Sequence, residues 1–494
     1  MINILKPLLY PLIWAILISL SGCGQSPKKT QEIPTGKFWK QQGTEKVLDH
    51  WTKHAIDKKY GAFYTFLDRK WEPYNGTKKY PGMISRHIFS YSVGYMLTGD
   101  RKYLDKAAEA KDYIIKNAWD KKYGGWYDAL SKEGAVTDST KDGFYQTYAI
   151  TGLAMYYMVT HDKEVLELLR KSHKIMTEHA WDKKYGGYFR KLNRDLTVAE
   201  DKKSFSPQLA PLSGYQIYLY VATREKIFLE QMERLMDVAL KKMRKPESPW
   251  VLEQFDRKWN YTYKPKPNGT ELNTGHNAEL AWMLFRLYDL TGNDNYIENA
   301  LAITEPLYNY GFDDSSGLWY HRIGLDNPSK HSDYSPWWVQ AYGNMLSLYL
   351  YHHTYKPIYL KAFRKGAKFW NKHFIDDKYG GAYLSVNTDG SILKGVKAVR
   401  TKTSYHSVEH GLLNYLYTNL WVKHKPVTLY FQVNSSKEGE KLYPLPIEDS
   451  DVLISSVKIN GEKYKNYVPE EGYISLPKGK NLKLKVVLES TNKE

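Results

Sequence analysis

Cysteine is almost absent from this chain. Its 494 residues contain one, Cys23. An internal disulfide is therefore excluded, as are zinc sites built from several thiolates. Long apolar runs are scarce as well. The one near the N-terminus, Leu8 to Leu20, is too short for a spanning helix. Acidic residues are outnumbered, with 54 Asp and Glu against 71 Lys and Arg, a net charge of +17. The excess is spread along the chain, and many Lys-Lys pairs sit in turns such as DKKYG. That pattern predicts a solvated basic surface, and in its sharper form a membrane surface or an acidic glycan nearby. No P-loop, zinc-finger spacing or aromatic RNA-binding motif occurs, so nucleic acid is not an expected partner. What is present is a 42 % hydrophobic composition. It suffices for a large core, in a chain too long for one ordinary domain unless that domain is a repeat or a barrel.

The first residues read as a targeting segment. Lys6 precedes the apolar run, and Leu20-Ser21-Gly22-Cys23 follows it. Leu-Ser-Gly-Cys resembles the lipobox of bacterial lipoproteins. The resemblance implies cleavage before Cys23, a lipid on its sulfur, and anchoring to a membrane of the bacterial cell envelope outside the cytoplasm. Residues 1–23 are then a signal peptide, and polar residues 24–36 a tether.

Residues 37–424 carry a repeat. HAIDKKYGAFY, AWDKKYGGWY, HAWDKKYGGYF, YGFDDSSGLWY and HFIDDKYGGAY place aspartates at Asp57, Asp120, Asp182, Asp313 and Asp376. Most steps are about 63 residues and one is about twice that. FDRKWN around Asp256 reads as a weaker copy filling the gap, giving six units. Between the marks, apolar residues recur at three and four, as in YLDKAAEAKDYIIKNAW, so each unit has room for two helices. Six helical hairpins suit a closed (α/α)6 barrel, although periodicity alone also permits an open solenoid. The repeated aspartates lack the clustered acids that calcium wants, so they read as turn or cap residues. Residues 425–494 change texture. VTLYFQV, VLISSVKI, YISLP and LKLKVVLE alternate, and Asn460-Gly461 is a hairpin turn, which predicts a small β-sandwich-like domain.

Five stretches depart from the repeat's usual composition. TGHNAELAWML holds His276 and Glu279 on one helix face, with Asn273-Thr274 and Gly275 supplying a helix start. A helix N-terminus favours the neutral imidazole that a general base needs, but a satisfied core histidine would give the same pattern. SRHIFSYSVGY carries Arg86, able to hold a substrate oxygen or to pair with an acid. DGFYQTYAITGLAMYY carries Phe144, Tyr145 and Gln146. SPWWVQAYGNM carries Trp337, Trp338 and Gln340, a stacking wall for a sugar ring or part of a core. SYHSVEHGLLNY carries Tyr405, His406, Glu409 and His410. His406 and His410 have the spacing of a zinc pair but no HExxH arrangement, so no metal and no cofactor is assigned.

Together these stretches resemble the N-acylglucosamine 2-epimerase superfamily, which includes cellobiose 2-epimerase and aldose–ketose isomerases. GHNAELAWML is close to the family's Gly-His-Asn-x-Glu segment, WWVQAY to its Trp-Trp-x-Gln-Ala-Glu motif, and SYHSVEHGLLNY to its Tyr-His segment. The resemblance implies an (α/α)6 barrel with a central sugar pocket. It makes His276 and His406 the catalytic histidines, Glu279 the active-site acid partner of His276, and Arg86 a sugar contact; Tyr145, Trp337, Trp338, Gln340, Tyr405, Glu409 and His410 join Arg86 and Glu279 as the candidate substrate-binding residues. Departures are visible: Tyr342 stands where the motif has Glu, SPQLAPLSGYQIYLYVAT has no histidine, Thr401 marks a lost tryptophan, and Glu409 replaces an arginine. The reading that follows is a membrane-anchored sugar epimerase or isomerase moving a proton at C2 with two histidines. A glycan hydrolase or lyase using Glu279 and Glu409, and a non-catalytic sugar-binding lipoprotein, are the alternatives.

Overall fold

The computed structural model describes residues 32–245, 247–262 and 269–491. Cys23, the leader and most of the tether lie outside them. The chain is mainly helical. Among the described residues it forms twelve helical runs, which alternate between two kinds.

The even-numbered runs are buried on every side. They are α2 (Pro81–Thr98), α4 (Gly143–Thr160), α6 (Phe205–Pro211, Leu212–Gln216 and Ile217–Thr223 in succession), α8 (Thr274–Thr291), α10 (Trp337–Thr354) and α12 (Tyr405–Tyr417 with Thr418–Val422). The odd-numbered runs bury one face. They are α1 (Gly36–Gln41, Gln42–Leu48 and Asp49–His54), α3 (Arg101–Ala118), α5 (Lys163–Ile175 with Met176–Ala180), α7 (Lys226–Lys242), α9 (Asp294–Gly311) and α11 (Pro357–Phe369 with Trp370–Phe374). This division follows composition: the outer runs keep charged residues on a solvent stripe, and the inner runs carry Gly, Ser, Thr and Tyr in its place. Each inner run touches the next, and α12 touches α2. Close approach needs glycine: a Cβ at Gly152 would collide with the carbonyl oxygen of Ser85. Pro211 lies inside α6 and has no N–H to donate, and the helix opens into a wider turn over Leu212–Gln216.

The links between runs are short and repeated. Thr98, Thr160, Thr223, Thr291 and Thr354 each end an inner run and bond the carbonyl four residues back. A left-handed residue follows each: Gly99, His161, Arg224, Gly292 and Tyr355. At the other end, each outer run leads into a one-pair antiparallel bridge. The bridges are Ile56–Phe63, Trp119–Trp126, Trp181–Tyr188, Arg244–Val251, Phe312–Trp319 and Ile375–Ala382. The fourth unit's turn is therefore the stretch between Arg244 and Val251, and the FDRKWN stretch is not its copy. Asp256 instead repeats Asp68, each folding its own DRKW turn through backbone N–H groups. Trp259 reaches from there to the carbonyl of Tyr185, as Trp71 reaches to Tyr379.

The repeated aspartates are turn residues. Asp57, Asp120, Asp182 and Asp376 each accept from the N–H groups two and three positions on. Each also meets a buried lysine, Lys79, Lys141, Lys203 or Lys397. The basic excess is thus not wholly a solvated surface: these four amines, and Lys402, are part of the core.

Residues 427–490 form two antiparallel sheets. With β1 (Val427–Ser435), β2 (Glu440–Leu442), β3 (Val452–Ile459), β4 (Glu462–Tyr464), β5 (Tyr467–Val468), β6 (Tyr473–Leu476) and β7 (Gly479–Ser490), the orders are β1-β7-β3-β4 and β2-β6-β5. Asn460 and Gly461 make the β3–β4 turn with positive φ. From Pro34 onward the described residues form one compact unit. The strands pack where the inner runs end, Tyr430 against Gly99 for example. The loop before β3 sends Glu448 into the helical core, where it pairs with Arg286 of α8, both side chains fully buried. Replacing Glu448 by Ala leaves that guanidinium buried without its acid. The expected cost is about 3–5 kcal/mol, read as a lower midpoint in chemical denaturation; an unchanged midpoint would refute this.

Candidate active site

All six inner runs begin at the end away from the β sheets, and four of them are fixed there by one device. A side-chain amide near the start clasps the backbone of the second residue of the preceding bridge. Gln146 holds N and O of Trp126, Gln208 those of Tyr188, and Asn277 those of Val251. Gln340 accepts from Trp319 N and donates to Gly317 O. Gln340 is therefore committed to backbone, not to a ligand.

The clasp sets what its neighbours do. His276 immediately precedes Asn277 in the first turn of α8, where Asn273 caps the helix by accepting from the His276 N–H. The imidazole stacks on Phe205, with ring centres 4.1 Å apart, and meets Trp338 at 5.0 Å. Gly275 makes room, since a Cβ there would strike the Trp338 ring. His276 Nδ1 bonds Glu253, whose other oxygen accepts from Arg322 at 2.8 Å. Burial opposes ionisation of Glu253, but His276 and Arg322 outweigh it and bring the carboxyl down to about 2.

His406 occupies the first turn of α12. Its ring lies 5.8 Å from Trp337, 5.5 Å from Tyr342 and 6.4 Å from Trp338. Trp338 thus borders both histidines, and the sum of 5.0 Å and 6.4 Å bounds their separation. His406 is the deeper, its side chain 8 % exposed against 22 % for His276. Burial, then Arg86 and His276, drive its pKa well below the ordinary imidazole value. Its Nδ1 lies 3.3 Å from Glu409, which also accepts from the Tyr405 hydroxyl at 3.0 Å. No lysine or arginine pairs with Glu409 among the described residues, and burial pushes its carboxyl up to about 8.

Glu279 is buried and accepts from Ser213, in the widened turn of α6, at 2.6 Å. Burial raises its pKa too. Arg86 is buried with its guanidinium 3.6 Å over Tyr148 and 5.3 Å over Tyr405, and donates to the Thr401 carbonyl at 3.0 Å. Its Nε has no partner among the described residues. Tyr145 bonds Arg400. His410 stands apart from the group. It packs against Trp39 of α1 and Trp370 of α11, faces Asn344, and is depressed to about 3 by burial. Although it stands four residues from His406, His410 faces the outer layer.

Above His276 opens a cavity of about 610 Å³, walled by Tyr145, Arg190, Phe205, Glu253 and Arg400 among others. Of the residues singled out in the sequence, Phe144, Tyr145, His276 and Thr401 line it. Arg86, Glu279, Trp337, Tyr405, His406 and Glu409 are buried, and Trp338 is half-buried. Glu253, Arg322, Phe205 and Arg400 were not anticipated. Glu253 follows the fourth bridge by two positions, as Asp128, Arg190 and His321 follow theirs, so a correctly phased repeat would have pointed to it. Among the described residues no group of His, Cys, Asp and Glu could hold a metal ion.

The inner helices thus bring two histidines to one tryptophan, and one of the two opens onto a cavity of about 610 Å³. The sequence profile of the N-acylglucosamine 2-epimerase family matches residues 39–143 and 61–409, two overlapping segments covering most of the chain. The chain belongs to that family of sugar epimerases. Cellobiose 2-epimerase of Bacteroides fragilis is 24 % identical over 378 residues, covering 74 % of this chain and 94 % of the relative. Among solved structures, cellobiose 2-epimerase from Bacillus thermoamylovorans superposes with a TM-score of 0.70 at 20 % identity, covering 77 % and 98 %. A D-mannose isomerase superposes with 0.72 at 19 %, covering 78 % and 100 %.

The raised carboxyl of Glu409 has a measurable consequence. Between its unfolded value near 4.5 and its folded value of about 8, the unfolded chain releases a proton that the folded protein keeps. Stability from this residue is thus full below that window and lost as pH rises through it, at most about 1.4 kcal/mol per pH unit. The stability difference between Glu409→Gln and the parent protein should climb in favour of the variant across the window. Parallel stability curves would show that Glu409 is ionised throughout.

Proposed function

We propose that this protein inverts or isomerises a sugar by moving the proton on C2. The bordering of one tryptophan by two histidines on separate inner helices is the observation that carries the reading. The sugar opens to its aldehyde. One imidazole takes the C2 proton, the resulting enediolate is balanced by the buried Arg86 cation, and the other imidazole returns the proton. Trp338, set against both rings, must turn aside or stack on the sugar for both to reach one carbon. Trp337 and Tyr405 wall the His406 side. Hydrolysis fits less well, because it needs one ionised carboxylate beside one protonated, and burial raises Glu279 and Glu409 alike. The relatives' names point to a free sugar or a β-linked disaccharide, and the 610 Å³ cavity has room for a second unit beyond the reacting one.

The same reading takes the twelve helical runs as a closed (α/α)6 barrel over residues 37–424, and residues 425–494 as a β-sandwich closing its far end. Contact between α12 and α2, and the separation of the strands into two sheets, support it. We further propose that Cys23 carries a lipid that anchors the enzyme in the bacterial cell envelope.

Turnover of an aldose in deuterated water should place deuterium at C2, and His276→Ala and His406→Ala should each lower kcat by about 100-fold or more. A sugar that is converted without incorporating deuterium would overturn the mechanism. Expressed with its leader in a bacterial host, the protein should partition with membranes and yield a lipidated N-terminal peptide, and Cys23→Ala should release it. Equal release of both forms would count against the anchor.

A further inference from the structure

The two histidines have opposite neighbours at the same ring atom. His276 Nδ1 meets a carboxylate that Arg322 also grips at 2.8 Å. A carboxylate held between a guanidinium and an imidazole is ionised, and it can only accept. His276 must then donate from Nδ1, which leaves Nε2 with a lone pair. His406 Nδ1 meets Glu409, a carboxyl with no exposure, no paired lysine or arginine among the described residues, and a second buried acid, Glu279, in the same chamber. A carboxyl in that position keeps its proton and donates it. His406 must then accept at Nδ1, which places its own proton on Nε2.

We propose that Glu253 and Glu409 are positioning residues that fix the two imidazoles in opposite tautomers, making His276 the base and His406 the acid of the resting enzyme. This rests on the C2 proton-transfer reading, and it adds a direction to it. His276 Nε2 accepts the C2 proton and becomes an imidazolium paired with ionised Glu253. His406 Nε2–H delivers a proton to the opposite face of the enediolate carbon, and its Nδ1 takes the proton of Glu409. The products are a neutral sugar inverted at C2, an imidazolium and a carboxylate, and charge and protons balance. One proton, passed from His276 to His406 Nε2 through solvent or the opened sugar while the Nδ1 proton returns to Glu409, resets the pair. Ring stacking supports the assignment: Phe205 and Trp338 hold His276 so that turning the ring would break the Glu253 contact.

The direct test is nitrogen-detected NMR on full-length protein with labelled histidine, each signal assigned by the matching His→Gln variant. His276 is expected to carry hydrogen on Nδ1 alone and His406 on Nε2 alone at neutral pH. The same tautomer in both rings would overturn the proposal. This readout needs no substrate, so it decides the tautomers even if the C2 reaction itself fails. Kinetics supply the second arm. Glu253→Gln, whose amide is turned nitrogen-first toward His276 because Arg322 claims its oxygen, should cut kcat about 100-fold with KM within about threefold. Glu253→Asp should recover part of the loss. Glu409→Leu should fall by a similar factor, and Glu409→Gln, whose amide still donates to Nδ1, should regain most of it. A reversed order, with Glu253→Gln tolerated and Glu409→Gln as damaging as Glu409→Leu, would refute the assignment. So would losses in kcat that merely follow a fall in unfolding midpoint.

Discussion

The clasp of an inner-helix amide on the backbone of the preceding bridge is the constraint from which the site follows. It satisfies both the N–H and the C=O of a buried turn, groups that would otherwise cost several kcal/mol in the core. In doing so it fixes each helix in rotation and height. Asn277 is held this way, so His276 one residue earlier points to the mouth and Glu279 two residues later points inward. Gln340 plays the same part for α10, and Tyr342, two residues later, takes the place that corresponds to Glu279. Function is therefore distributed around positions whose middle member is structural. That explains why Gln146, Asn277 and Gln340 sit inside the stretches that looked most like active-site motifs.

Charge in the chamber is arranged by burial more than by residue type. His276–Glu279 and His406–Glu409 have identical spacing, yet Glu279 bonds Ser213 while Glu409 bonds its own helix's histidine. The acid that bonds His276 comes from the segment between the fourth bridge and α8, not from α8 itself. Arg86 is flanked by tyrosine faces and one carbonyl, and in the proposed reaction it is the cation that faces the developing oxyanion. The wider turn after Pro211 is what delivers Ser213 to Glu279, a case of local irregularity placed beside a functional group.

Much of this was legible in the chain. The 3.6-residue periodicity and the DKKYGG marks located the helices, the turn aspartates and the β texture after residue 425. Asn273 and Gly275 correctly announced the start of α8. The fourth unit was not legible from those marks, because Arg244 to Val251 shares no residue pattern with DKKYGG, and FDRKWN imitates it. The threonines that close the inner runs, from Thr98 to Thr354, carry the phase without ambiguity and would have placed Glu253. The role of Gln340 and the outward turn of His410 depend on helix rotation, which spacing alone does not set. The buried lysines escaped notice because a lysine in a polar turn looks the same whether or not an aspartate waits beneath it.

Glu448 gives the molecule a history as well as a stability. A guanidinium walled into the middle of α8 is tolerable only while the downstream strands deliver its counter-charge. Neither half can be exchanged, shortened or inherited separately without a compensating change in the other. Taking the strands away without also replacing Arg286 would leave a bare cation in the middle of the helical core.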